Sequence, residues 1–170
     1  MSKILIIEDE ESIRRVLNKV LIQDDKSYSI TEAVDGLDGI SKINSSKYDL
    51  ILCDIKMPKM DGIQFMKKVK NHDPAIPVFL VSGALLTESQ SNALETKADG
   101  YLRKPFDIDN LHAFIDRGVQ LRQHYKDLLE IVGDNKKFLE LIQGKRQLKF
   151  LKDDEKRKQA QEILEQLQAC

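Results

Sequence analysis

The chain has 170 residues, a formal net charge of −1, and 41% hydrophobic against 32% charged residues, the balance of a globular chain with material for one ordinary domain and part of another. No apolar run approaches the roughly 18–20 residues that cross a bilayer, and the acidic start MSKILIIEDE makes no signal peptide, so the expected location is the cytoplasm with no membrane partner. Net charge is −3 up to Arg117 and +2 from Gly118 onward, too little polarity in either part to draw a nucleic acid.

KILII (3–7) reads as a short buried strand ending at Glu8-Asp9, and Ile13, Val16, Leu17, Val20 and Leu21 follow with helical spacing. YSITEAV (28–34) is a second strand, and Asp35-Gly36 opens the next helix. DLILC (49–53) runs into Asp54, after which Met57-Pro58 delays the helix that Asp61-Gly62 then opens, with Phe65, Met66 and Val69 on its inner face. PVFLV (77–81) ends at Ser82-Gly83, and GYLR (100–103) leads into Lys104-Pro105. Cys53 lies inside an apolar run and Cys170 is the last residue, so no disulfide framework is implied. Solid apolar strands that each precede a helix predict an α/β fold: five parallel strands, doubly wound, covered on both faces.

Function in such sheets gathers beyond the carboxyl ends of the strands. Those ends carry Glu8-Asp9, Asp54, Ser82 and Lys104. Singly, Asp9 reads as a helix cap, Ser82 as a loop hydroxyl and Lys104 as a solvated charge. Asp54 has no such use, because Met57-Pro58 leaves it no helix to cap. Clustered carboxylates repel unless a cation neutralises them, and oxygen donors without His or Cys point to Mg²⁺ rather than zinc. A lysine and a hydroxyl facing that metal complete an anion site for a phosphoryl group, with Asp54 as the attacking carboxylate.

In this order, ILIIEDEESIRRVL, LILCDIKMPKMDG, VFLVSG and ADGYLRKPF resemble the receiver domain of two-component response regulators over residues 3 to about 118. The resemblance implies a flavodoxin-like sheet of strand order 2-1-3-4-5. It implies that Asp54 accepts a phosphoryl group from a sensor histidine kinase or phosphotransfer protein. Asp9 is expected to bind Mg²⁺ directly, Glu8 through water and Lys56 through its backbone carbonyl. By the same resemblance Lys104 holds a phosphoryl oxygen, the Lys104-Pro105 bond is cis, and Ser82 with Tyr101 forms the switch pair. Glu8 stands where Asp is commoner in the family, and Lys56 and Ala84 fall at positions that tune phosphoryl lifetime. A related phosphatase would show D-x-D, but Ile55-Lys56 follows Asp54; a dinucleotide fold would show G-x-G-x-x-G where EDEESI stands.

The division expected is a receiver unit over 1–118 and a helical extension over 119–170. Leu111, Phe114, Gly118, Leu121, Tyr125, Leu128 and Val132 recur in steps of three and four, so one long helix is expected to run to about Val132. Gly133-Asp134-Asn135 then stops and recaps the chain. Phe138, Leu139, Leu141 and Ile142 begin a second helix, and Ile163, Leu164 and Leu167 mark a third. Two arrangements would bury the stripe: a parallel coiled-coil homodimer through residues 111–132, or a hairpin of 136–168 folded back on it. The narrow heptad favours the dimer. A helix leaving a receiver-like unit is also compatible with an effector domain beyond residue 170.

Overall fold

The computed structural model describes residues 1–22, 28–83, 87–88, 98–144 and 147–169; Ala84 and Cys170 lie outside them. Five parallel strands, β1 (Ser2–Ile7), β2 (Tyr28–Ala33), β3 (Leu50–Asp54), β4 (Val78–Ser82) and β5 (Gly100–Arg103), form one sheet in the order β2-β1-β3-β4-β5. The register pairs Ile7 with both Ala33 and Cys53, and Asp54 with Val81, so the acidic strand ends of β1 and β3 lie side by side. Chain order reverses between β1 and β3, which makes that junction the switch point where a crevice opens.

Alternation along the strands divides the core. Ile4, Ile6, Leu50, Leu52 and Phe79 face one side, where α1 (Glu11–Ile22) and α4 (Ile108–Val132) cover them. Leu5, Ile7, Ile51, Cys53, Val78 and Leu80 face the other, under α2 (Gly36–Ser45) and α3 (Gly62–His72). Asp35 and Asp61 cap α2 and α3 by accepting from the amides of Asp38 and Gln64, which satisfies donors that a helix start leaves open. Gly62 is required by close approach: a Cβ there would stand 2.3 Å from the Asp54 carbonyl oxygen. The Asp-Gly pair after β3 therefore lets α3 begin tightly against the strand that carries Asp54.

Helix α4 runs 25 residues, with Asp107 at its start and Gly133 in the left-handed region (φ 66°) at its end. Residue 118 falls inside it, and a single apolar cluster continues from Ile4 and Phe79 through Leu111 and Tyr125 to Phe138 and Ala160. Beyond it lie α5 (Asn135–Ile142), a 3-10 turn (Leu148–Phe150) and α6 (Asp154–Ala169). Here the expectation of a dimer through a bare stripe is corrected. Leu128 is 0% exposed within this single chain, and Leu121, Tyr125 and Val132 are buried, packed with Phe138, Leu141 and Ala160 of α5 and α6. The tail folds back on the stripe. The physical reason is a wider buried face than a heptad seam: Ile115 is buried beside it, half-buried Leu129 lies two heptads on, and between them Arg122 is buried by its pairing with Asp73. Gly118 is not a weak coiled-coil layer either, because its bare Cα rests on the sheet, where a Cβ would meet Leu50 Cδ1 at 2.6 Å.

Three polar ties fasten α4 just before the strands begin. Arg122 donates to Asp73 at 2.9 Å, Lys126 to Asp49 at 3.1 Å, and the Tyr125 hydroxyl to Asp99 at 2.8 Å. Asp99 also accepts from Lys70, 2.6 Å away, and from the Val78 amide. Burial, then the Asp99 charge, pushes the Tyr125 hydroxyl well above its ordinary pKa, so it stays a donor. No described helix is long and apolar enough to cross a membrane.

Candidate phosphoacceptor edge

Strand ends place the polar residues here, since Asp54 and Ser82 are the last paired residues of β3 and β4, and Glu8 and Lys104 directly follow β1 and β5. Asp54 terminates β3 and is 7% exposed; Glu8 follows β1 and is 2% exposed. Lys104, just past β5, reaches between them: its Nζ donates to Glu8 Oε2 at 2.7 Å and to Asp54 Oδ1 at 2.8 Å. The Lys56 amide donates to Asp54 Oδ2 at 2.6 Å, so both Asp54 oxygens are held. The Lys104-Pro105 peptide bond is cis.

Electrostatics follow from this geometry. Burial raises the Glu8 pKa and the Asp54 charge adds to it, against the lowering effect of Lys104. Burial alone would depress Lys104, but its bonds to Asp54 and Glu8 outweigh that and raise it. Cys53, next to Asp54, is no thiolate ligand: it belongs to the opposite core, and burial pushes its pKa well up.

The remaining residues divide. Ser82 ends β4 and is 1% exposed, with Lys104 donating its backbone amide to the Ser82 carbonyl at 2.8 Å. Tyr101 on β5 is 38% exposed. Asp9 is exposed beside the buried cluster, and Lys56 is exposed except for its amide. Among the described residues no three Asp, Glu, His or Cys side chains converge as a metal-holding group; the Lys104 ammonium stands between Glu8 and Asp54. One neighbour escaped sequence reasoning. Arg14 donates to the Glu8 carbonyl at 2.8 Å, and nothing in ESIRRVL distinguishes it from Arg15, which is exposed and pairs with Glu11 along the helix.

A parallel 2-1-3-4-5 sheet with two acids and a lysine joined at its carboxyl edge defines a class, the receiver modules of signalling proteins. The chain belongs to the response regulator receiver domain family, whose model matches residues 4–116. Response regulator ArlR of Staphylococcus aureus is 34% identical over 133 residues, which cover 78% of this chain and 59% of that protein. The chain thus spans little more than half the length of the curated relatives it matches. Among solved structures, the receiver domain of Francisella response regulator 1452 is similar at 31% identity and a TM-score of 0.61, over 72% of this chain and 98% of that one. A CheY-like receiver domain protein from Methanospirillum hungatei JF-1 aligns at 26% identity and TM-score 0.67, over 72% and 97%. TrrA of Thermotoga maritima, solved in complex with Mg²⁺–BeF, aligns at 27% and 0.62, over 69% and 99%.

Proposed function

We propose that this chain is a phosphoacceptor switch: Asp54 takes a phosphoryl group from a sensor histidine kinase or phosphotransfer protein in a Mg²⁺-dependent reaction. The observation that carries the reading is the Lys104 ammonium held at once by Glu8 and Asp54. Glu8, Asp9 and Asp54 against Lys104 leave two formal negative charges at the edge, and all the donors are oxygens. Glu8, Asp9, Asp54 and the Lys56 carbonyl would hold the ion, which would neutralise that surplus and polarise the phosphoryl oxygens. The Mg²⁺–BeF complex of TrrA supports the assignment.

In the transfer, an Asp54 oxygen attacks phosphorus in line with the donor nitrogen. The phosphorus–nitrogen bond breaks, and its electron pair leaves with the donor imidazole, whose other ring nitrogen carries the proton. Lys104 exchanges its bond to Asp54 for one to a phosphoryl oxygen, which keeps the new charge paired. Water attack on phosphorus later breaks its bond to the Asp54 oxygen, which restores the carboxylate and releases inorganic phosphate. Ser82, buried at the edge, and Tyr101, on the neighbouring strand, act as the switch pair through which β4 and β5 register the phosphoryl group. The chain acts as a cytoplasmic signalling protein and not as an enzyme on an external substrate, with 1–118 as the receiver and 119–170 as its helical extension.

A small acyl phosphate with and without Mg²⁺ tests the reading by intact mass. One phosphoryl group should be added, only with Mg²⁺, and none to Asp54→Asn. Incorporation that survives Asp54→Asn, or none in the wild type, contradicts it.

A further inference from the structure

Arg14, one turn into α1, binds the acidic edge from behind. Its Nη1 donates to the backbone carbonyls of Glu8 at 2.8 Å and Asp9 at 3.3 Å. Its Nε donates to Glu32 Oε2 at 3.3 Å, and the other Glu32 oxygen accepts from the Asn18 side-chain amide, one turn further along α1. Glu32 sits on β2 in register with Ile6, and the Arg14 side chain is 11% exposed. One guanidinium therefore links β1, β2 and α1 at the two peptide units from which the Glu8 and Asp9 side chains diverge, Glu8 buried and Asp9 exposed.

We propose that Arg14 is a positioning residue for the divalent cation at this edge, acting through the Glu8-Asp9 backbone with Glu32 as its anchor; the proposal rests on the Mg²⁺-dependent reading above. Past the last ladder bond of β1, a peptide plane can rotate and carry its carboxylate with it. The guanidinium fork, fixed on Glu32, sets both carbonyl directions and so the aim of both acids, as groups behind metal ligands generally do. A second effect opposes this. Arg14 is a cation near a cation site, and by charge alone it would weaken metal binding. The two effects predict opposite signs for its removal.

The test is a Mg²⁺ titration of the full chain, followed by backbone amide shifts of Glu8, Asp9 and Lys56, with thermal melts to confirm folding. Arg14→Ala should weaken Mg²⁺ binding by about tenfold or more, the usual effect of losing a group behind a ligand; unchanged or tighter binding overturns the proposal. Arg14→Ala/Glu32→Gln restores the wild-type formal charge and should bind no more tightly than Arg14→Ala, because Glu32 acts only as the anchor for Arg14; recovery to the wild-type affinity overturns the proposal. Arg14→Lys keeps the charge without the fork and carries the test if Arg14→Ala does not fold: severalfold weakening is expected, and wild-type affinity overturns it. A wild type that binds no Mg²⁺ refutes the metal-dependent reading and this inference with it, a result distinct from a wild type that binds while its variants match it.

Discussion

Glu8 is a carboxylate that the fold buries at a cost. Its raised pKa means that the folded state holds its proton more firmly than the unfolded chain does. Its contribution to stability is therefore fully present below the ordinary carboxylate pKa and is lost as pH rises through the raised one. Glu8→Gln, which keeps the shape and removes the charge, should raise the melting temperature at neutral pH in the absence of metal. A gain of about 1 kcal/mol corresponds to roughly 2–4 °C for a chain of this size. The gain should vanish in acid, where Glu8 is protonated anyway, and a stabilisation independent of pH would count against the assignment. The placement of Glu8, Asp54, Ser82 and Lys104 on one edge was legible in the sequence because each stands at the end of an apolar strand, and the strand ends of a parallel sheet share one edge. The Arg14–Glu32 pair was not, because it depends on which face of α1 meets β2, and both residues look like solvated charges in a linear reading.

Helix α4 serves as receiver helix and tail support at once, and its ties to the strand starts show how. Lys70, Asp99 and Tyr125 form a buried set, with Lys70 also donating to the Ile76 carbonyl at 2.7 Å. Tyr125→Phe should cost about 1 kcal/mol, one hydrogen bond's worth. Asp99→Asn should cost more, about 3–5 kcal/mol, because it strands the Lys70 ammonium in the interior. Urea unfolding of both variants and of the double variant measures this, and the double variant should lose less than the sum of the two single losses because the groups share one network. Equal small losses would mean that the set is solvated. Leu128→Ala should cost about 2–5 kcal/mol by the same measurement, as a core truncation does. The stripe that contains Leu128 was legible from its three-four spacing, and the end of the helix from Gly133. What covers the stripe was not legible, because a heptad seam and the centre of a broader core face share the same positions. The flanking Ile115 and Arg122 decide it, and Arg122 is buried only because Asp73 receives it.

Across the molecule, the proposed phosphoacceptor site and the ties that hold the tail helix occupy opposite edges of the sheet. Glu8, Asp54 and Lys104 lie at the carboxyl ends of the strands, whereas Asp49, Asp73 and Asp99, which hold α4, precede β3, β4 and β5. The chain should therefore sediment as a monomer, as far as the Leu121–Val132 stripe is concerned. Truncation after Gly133 removes the cover and should give concentration-dependent self-association through that stripe. Sedimentation velocity of both forms checks it, and a truncated form as monomeric as the full chain would contradict the packing described. The central claim concerns the other edge, that the phosphoryl group resides on Asp54. Borohydride reduction of the phosphorylated chain converts an aspartyl phosphate to homoserine, and peptide mass spectrometry locates it. The account predicts homoserine at position 54 alone, dependent on Mg²⁺ during labelling. Conversion at Asp9 or Glu8, or a label on serine or histidine that resists the reduction, would contradict it.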